Sequence, residues 1–443
     1  MRAAFTSRGF PRLFAGLFAS MIGDSLMLIV LGIWVKELTG SNGAAGLVFF
    51  FMALPSLFSP LAGMFVDRVK RRTMLVWGNL ATAAGLVPLL FVHDRGQVWV
   101  IYCVAVWYGI SWTVLPAALN GLLKELLAEQ VLVEANASLS TSKEGLRLFG
   151  PLLGAGLYTW LGGGTVALID MASFAFAALA VATLALRERT PEREEEHWRA
   201  EFVAGIRHIR HDRVLLQCLL AVAGALLVVG FMESAVFAAV AAYGQPASFV
   251  GVVVSVQGLG AVAGGLCSSY LIKRIGEISA IAGSLLIFAV GLAVAAGTPV
   301  LGGFFAGTII LGFALPVFIV ALTTLLQTRT PHRLMGRVSA ATDTLLGTPQ
   351  AGSIALGALL VTVLTFRSIF WLAAAVIAVS AGYLMATLRG ELRPAAVGAG
   401  LDVEPQEAPA GVTAAVVPEL PGVGADVTTA VRSDPPGGPP LSR

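Results

Sequence analysis

Long apolar runs repeat along this chain, and that repeat excludes most folds. A membrane span needs about 20 predominantly apolar residues, and about twelve stretches meet the rule. They are Leu13–Val35, Ala44–Val66, Met74–Val92, Val98–Leu119, Ser138–Leu161, Thr165–Leu186, Val214–Ala241, Ser248–Ile272, Ile278–Ala296, Val300–Leu326, Val338–Leu364 and Ser368–Leu388. In hydrocarbon the backbone must satisfy its own hydrogen bonds, so each run reads as a helix. The expectation is an all-α, multi-pass membrane protein.

Composition agrees. Of 443 residues 57% are hydrophobic and only 12% are charged, against about 25% charged in a soluble chain. The net charge of +3 is small and dispersed over the loops, which argues against nucleic acid. Cys103, Cys218 and Cys267 lie in apolar runs without Cys-x-x-Cys spacing, so neither a disulfide framework nor a zinc site is indicated. No His-x-x-x-His pair falls on an apolar helix, so metal ligands are not visible. Arg2, Arg8 and Arg12 precede the first run as in a signal peptide, but the run continues through Trp34 without a clean small-residue cleavage site. It reads as the first span.

Charge sets the orientation. Of the 29 Lys and Arg, 24 fall in connections on one face, Lys36, Arg95 and Arg367 on the other, and Arg432 and Arg443 in the tail. Basic loops stay on the cytoplasmic side, which puts both termini in the cytoplasm of a plasma-membrane protein and requires an even number of spans. The longest polar connection divides the chain. Residues 1–187 form the first half, 188–212 a linker, 213–389 the second half and 390–443 a tail. In the linker Phe202, Ile206 and Ile209 recur at helical spacing with Arg207 and Arg210 between them. That pattern suits an amphipathic helix on the inner leaflet, either tethering the halves or coordinating them. The tail, with Pro435-Pro-Gly-Gly-Pro-Pro440, reads as disordered.

The loop Gly63-Met-Phe-Val-Asp-Arg-Val-Lys-Arg-Arg72 packs one Asp and four basic residues between the second and third spans. Gly63, Asp67, Arg68, Arg71 and Arg72 match the pattern Gly-x-x-x-Asp-Arg-x-Gly-Arg-Arg, and Lys70 departs from it. The loop resembles the signature of the major facilitator superfamily. The resemblance implies a transporter of about twelve helices in two pseudo-symmetric six-helix bundles. The second-half counterpart, Leu271-Ile-Lys-Arg-Ile-Gly276, keeps a basic pair and a Gly but lacks the Asp.

Polar groups inside spans carry the functional signal, because they are expensive there. Asp24 is near the middle of the first span, Glu233 past the middle of the seventh, Asp343 in the inner part of the eleventh, and Asp170 near the outer start of the sixth. No Lys or Arg falls at mid-depth beside them. A carboxyl in an apolar cavity resists ionisation and can exchange protons near neutral pH, and it would also suit a cationic, lipophilic ligand. Asp170 reads instead as a hydrogen-bonded packing residue, and Asp343 divides evenly between packing and function. The resemblance places the first, fourth, seventh and tenth spans around a central cavity, and Asp24 and Glu233 with them. Trp107, Tyr108, Trp112, Phe237, Phe313 and Phe318 could add aromatic faces, and Gln257 and Gln350 amides.

The fifth span carries Gly150, Pro151 and Gly154, a close-packing face with a kink. It resembles the Gly-Pro-x-x-Gly element of drug/proton antiporters, with Ala155 where a second Gly is common. Lys143, Glu144 and Arg147 sit just before it, and the last two are one turn apart. Pro116-Ala-Ala-Leu-Asn120 and Glu134-Ala-Asn-Ala-Ser138 resemble the macrolide and siderophore exporter branch. The Arg that many proton-linked exporters carry in the fourth span is absent from Val98–Asn120. Gly162-Gly-Gly164 is a short outer turn rather than a phosphate cradle, so ATP is not the energy source, and no cofactor is implied.

These features point to a monomeric, proton-coupled exporter of lipophilic small molecules, such as drugs or natural products, working by alternating access. The alternatives are an exporter of a siderophore or other polar metabolite, and a non-transporting sensor or scaffold. An intramembrane enzyme is disfavoured, since no nucleophile–base or metal set is visible in the spans. The start of the eleventh helix, after Thr330-Pro-His-Arg, offers free N–H groups on which Asp67 is expected to dock when the cytoplasmic side closes. Asp67→Asn keeps the shape and removes the charge. It should slow export and shift the balance toward the inward-open state, read by efflux rate and site-directed labelling. An unchanged rate and balance would dismiss the latch.

Overall fold

The computed structural model describes residues 5–7, 9–58, 66, 69–184, 198–331 and 334–391. The loop residues Gly63, Asp67 and Arg68, most of the linker before Trp198, and the tail lie outside the described residues. No strand occurs among the described residues, and the helices follow the apolar runs.

In the first half the helices are α1 (Phe10–Thr39), α2 (Asn42–Ala53), α3 (Arg71–Leu86) and α4 (Val98–Leu126), then α5 over residues 129–161 and α6 over 163–182. 3₁₀ turns extend α2 through Phe58 and α3 through Phe91. The linker helix α7 is Trp198–His211. The second half holds α8 (Arg213–Val229), α9 (Phe231–Ala242), α10 (Val250–Ile275), α11 (Glu277–Gly297), α12 (Leu301–Arg329), α13 (Met335–Leu360) and α14 (Phe366–Thr387). α8 and α9 are two pieces of one span, Arg213–Ala242.

Nine helices among the described residues are long and apolar enough to cross a membrane. One of them, Glu134–Ala182, is 49 residues long. At about 1.5 Å per residue such a helix would run roughly 74 Å, more than twice the hydrocarbon core. It holds two spans, and Gly162 divides them with a φ of 78°, a conformation glycine adopts without a Cβ clash. The helix Asn42–Phe58 is shorter than the rule asks, and Met335–Leu360 is long enough but more polar. Counting these gives the expected number of about twelve.

Lipid and protein interior are both apolar, so helix contacts rest on small residues rather than on a hydrophobic stripe. Gly150 and Gly154 set α5 directly on α1, where an added Cβ would meet Ser25 and the Leu26 carbonyl. On its other side α5 meets α10, where a Cβ at Gly251 would lie 2.6 Å from the Pro151 carbonyl. The halves also meet where α2 packs on α9 and α13. There Gly46 faces Ser234, Gly43 faces the Ala358 carbonyl, and the Phe49 and Phe237 rings lie 6.3 Å apart.

These contacts lie at mid-depth or toward the face opposite the chain's N-terminal end. One hydrophobic core runs through both halves at those levels, and in the second half it continues to the basic end with Leu215, Leu325 and Leu388. A second cluster, with Phe10, Leu75, Leu122 and Leu184, belongs to the first half alone, at the end where α1 begins. The described contacts between the halves therefore lie at mid-depth and toward the face opposite the basic one, where the core is shared. Large apolar side chains such as Trp77 and Leu266 are exposed, as lipid-facing positions require.

The basic face has its own ties. Arg72 donates to the carbonyls of Val181, at 3.3 Å, and Ala182, closing the C-terminal end of α6. Arg71 donates to the Val66 carbonyl at 2.7 Å. Asp212 caps α8 through the Leu215 N–H at 3.0 Å, and Arg329 links it at 3.4 Å to Glu391 at 3.0 Å. Each half-exposed pair is worth little alone, but together they join the ends of three helices. α7 lies against the start of α13, where Gly205 meets the Arg337 carbonyl and Ile209 is buried.

The seal has a direct test. Gly46→Leu should force α2 away from Ser234, because no Cβ fits there. In a background without Cys103, Cys218 and Cys267, a cysteine at the buried Ala358 should then label several-fold faster with a membrane-impermeant maleimide. Equal labelling would place the seal elsewhere.

Candidate functional site

The site is built where α1 and α6 come close at Gly23. Gly23 on α1 leaves no room for a Cβ, which would fall on the Asp170 carboxylate and the Ser173 hydroxyl. The missing side chain lets α6 bring Asp170 beside Asp24. The α4 helix then inserts Tyr108 between them. Its hydroxyl is 2.7 Å from Asp24 Oδ1 and 2.9 Å from Asp170 Oδ2. Tyr108 and Asp170 are both 0% exposed. The Tyr108 ring is braced edge-on by Phe174 at 6.1 Å and faced by Trp112 at 5.5 Å. Trp112, one turn along α4, donates its indole N–H to Asp24 Oδ1 at 3.4 Å and stays 39% exposed. Asp24 itself is half-buried. It therefore stands between an open aromatic face and a closed polar interior.

The cations beside these acids come from α5. Lys143 and Arg147 are one turn apart on the stripe that continues into Gly150 and Gly154. Lys143 is close enough to Asp24 for their charges to act on each other, and Arg147 stands likewise to Glu233. The spans that hold the acids carry no mid-depth base, as the sequence indicates. Lys143 and Arg147, exposed toward the basic-face end of α5, act on the acids only through their charge. Arg147 also faces Glu144 at 4.0 Å, both more than half exposed.

The remaining residues are more scattered. Glu233 is in the first turn of α9, half-buried, just past the junction at Gly230. Phe237, one turn on, is 1% exposed and belongs to the seal against Gly32 and Phe49. Asp343 and Gln350 are exposed on α13. Gln257 is half-buried on α10, its carbonyl pressed against Gly312 of α12. Trp107 turns to α3 and donates to the Ala81 carbonyl at 3.1 Å. Phe318 lines a small apolar cavity of about 50 Å³ inside the second half, between α8, α11, α12 and α14. Asp170 is the residue that sequence reasoning set aside. Its signal was the pair Gly23 and Asp24, a small residue beside an acid, which marks where another helix approaches.

The sequence profile of the Major Facilitator Superfamily matches residues 13–351 and again 222–435. The chain belongs to that superfamily. It is 27% identical over 352 residues to an uncharacterized MFS-type transporter, YfiS of Bacillus subtilis (strain 168), covering 75% of this chain and 81% of the relative. It is 23% identical over 368 residues to macrolide efflux protein A of Streptococcus pyogenes, covering 79% and 88%. Among solved structures it is similar to a bacterial homologue of the iron transporter ferroportin in its inward-facing state. The TM-score there is 0.68 at 16% identity, over 85% of this chain and 98% of that one. The protein is thus a multi-pass membrane transporter and not an enzyme.

Within this superfamily member, Tyr108 holds two helices to a third through one hydroxyl. Tyr108→Phe should cost about 1–3 kcal/mol, the usual penalty for leaving a buried polar group unpaired. The measurement is the thermal melting of the detergent-purified protein. No loss of melting temperature would mean that the hydroxyl contributes nothing to packing.

Proposed function

We propose that this transporter exports lipophilic small molecules, drugs or natural products among them, in exchange for protons. Asp24 carries the reading. It is a half-buried carboxyl at the midpoint of α1, bonded to Tyr108 and Trp112 and flanked by an exposed indole face. Aromatic walls favour flat apolar or cationic ligands, and the carboxyl offers a cation or a proton the same place. Glu233 provides a second acid in the other half. The distant likeness to a macrolide efflux protein points the same way.

Two half-bundles rocking about these acids would expose them alternately to each side. The seal at Gly43 and Gly46 corresponds to a state open toward the basic face, which the charge distribution assigns to the cytoplasm. In that state a ligand from the cytoplasm or inner leaflet would meet Trp112 and Asp24. A proton entering from the opposite side would drive the return. The protein would work as a monomer in the cell membrane, with both termini in the cytoplasm.

A second reading has one observation behind it. Lys143 and Arg147 are exposed beside the acids, and such a pair would accept a carboxylate- or hydroxamate-bearing metabolite. Accumulation of dyes, macrolides and siderophores in cells with and without the protein separates the two readings.

Asp24→Asn and Glu233→Gln should each cut proton-driven efflux at least tenfold while membrane insertion is unchanged. In wild-type cells an uncoupler should abolish efflux. Efflux that persists after the proton gradient collapses would refute the coupling, and intact efflux in both variants would remove these residues from the site.

A further inference from the structure

The hydrogen bonds around Asp170 do not balance if both carboxyls are ionised. A phenol has one proton and a carboxylate has none to give. Tyr108 nevertheless lies within bonding distance of Asp24 Oδ1 at 2.7 Å and of Asp170 Oδ2 at 2.9 Å. Other donors do not close the gap. Trp112 reaches only Asp24, at 3.4 Å. The Ser173 hydroxyl is 2.7 Å from the Asp170 backbone carbonyl and 3.2 Å from its Oδ1, so its single proton is engaged at the shorter contact. From α5, Lys143 acts on Asp24 and is itself exposed. Asp170 is 0% exposed, and a buried carboxylate lacking donors and a counter-charge is costly.

We propose that Asp170 is a proton-carrying partner of Asp24, and that the two carboxyls share one proton through the Tyr108 hydroxyl. In one arrangement Asp170 holds the proton and donates to the Tyr108 oxygen, while Tyr108 donates to an ionised Asp24. In the other, the Tyr108 proton has passed to Asp24 and the Asp170 proton to Tyr108. Two O–H bonds break and two form, Tyr108 stays neutral, and the group keeps one negative charge throughout.

The consequence concerns coupling, and it rests on the exporter reading above. A cation arriving at Asp24 draws the negative charge to it, and the proton withdraws to Asp170 without leaving the protein. When the cation departs, the proton returns to Asp24 and neutralises it, so that cation and proton hold this carboxyl in turn. Asp170 therefore acts through Asp24 rather than on the ligand. Gly23 is what permits this arrangement, since any side chain there would part the two helices.

Infrared difference spectroscopy of the full-length protein in lipid nanodiscs tests the idea without transport. A protonated carboxyl has a carbonyl stretch that an ionised one lacks, and acids elsewhere cancel between samples. Asp170→Asn and Asp24→Asn should each lose the same single band, because either substitution leaves one carboxyl with Tyr108 as its donor. A band that survives in either variant would mean no shared proton. Tyr108→Phe keeps both carboxyls, so it serves if Asp170→Asn does not fold. There the band should move to higher frequency or vanish, and an unmoved or lowered band would overturn the proposal. Efflux with an uncoupler is measured in parallel. Bands as expected with uncoupler-insensitive efflux would sink the coupling and leave the shared proton standing. Coupled efflux without the bands would do the reverse.

Discussion

A polar group in a bilayer has no water to fall back on, and the acidic site of this transporter answers to that constraint. Backbone groups are satisfied within helices. Thr and Ser side chains largely turn back on carbonyls of their own helix, as Thr113 does on Gly109 at 2.9 Å. An ionised carboxylate cannot do this, because it only accepts. Asp24 and Asp170 therefore need partners from other helices, and their needs decide which helices must touch.

Close approach supplies those partners. Gly23 admits α6 to α1, and Gly150 and Gly154 admit α5 on the same helix further along. The first brings a second acid and the second brings Lys143 into range. Small residues thus decide the electrostatics, although they carry no charge. The same device closes the seal between the halves, where Gly43 and Gly46 leave α2 no space to spare against α13 and α9. Contacts made through glycine have little tolerance, since they fit fully or separate. That suits the proposed alternating access, in which the halves would meet on one side at a time.

The two ends of the membrane differ in how they are held. Toward the seal the core is continuous across both halves. At the basic face the first half has a separate cluster, while the second keeps the shared core through Leu215, Leu325 and Leu388 and adds the ties of Asp212, Arg329 and Glu391. Ion pairs exposed to water are weak and exchange readily. Such ties can hold helix ends in place without fixing one half to the other, and α7 reaches α13 from the linker.

The number of spans, the break at Gly162 and the family were legible in the sequence, because each depends on composition along one strand of chain. Apolar length gives a span, a glycine run gives a turn, and a loop motif is read residue by residue. The sequence also marked Asp24, Tyr108 and Trp112 as polar or aromatic groups inside spans. It could not pair Asp24 with Asp170. Which residues face each other depends on how each helix is rotated about its axis, and in a soluble protein a hydrophobic stripe reveals that rotation. Here lipid and interior are alike apolar, and α12, for one, is apolar on every side. Only the tertiary structure decided the rotation, through the glycines that let particular helix faces meet.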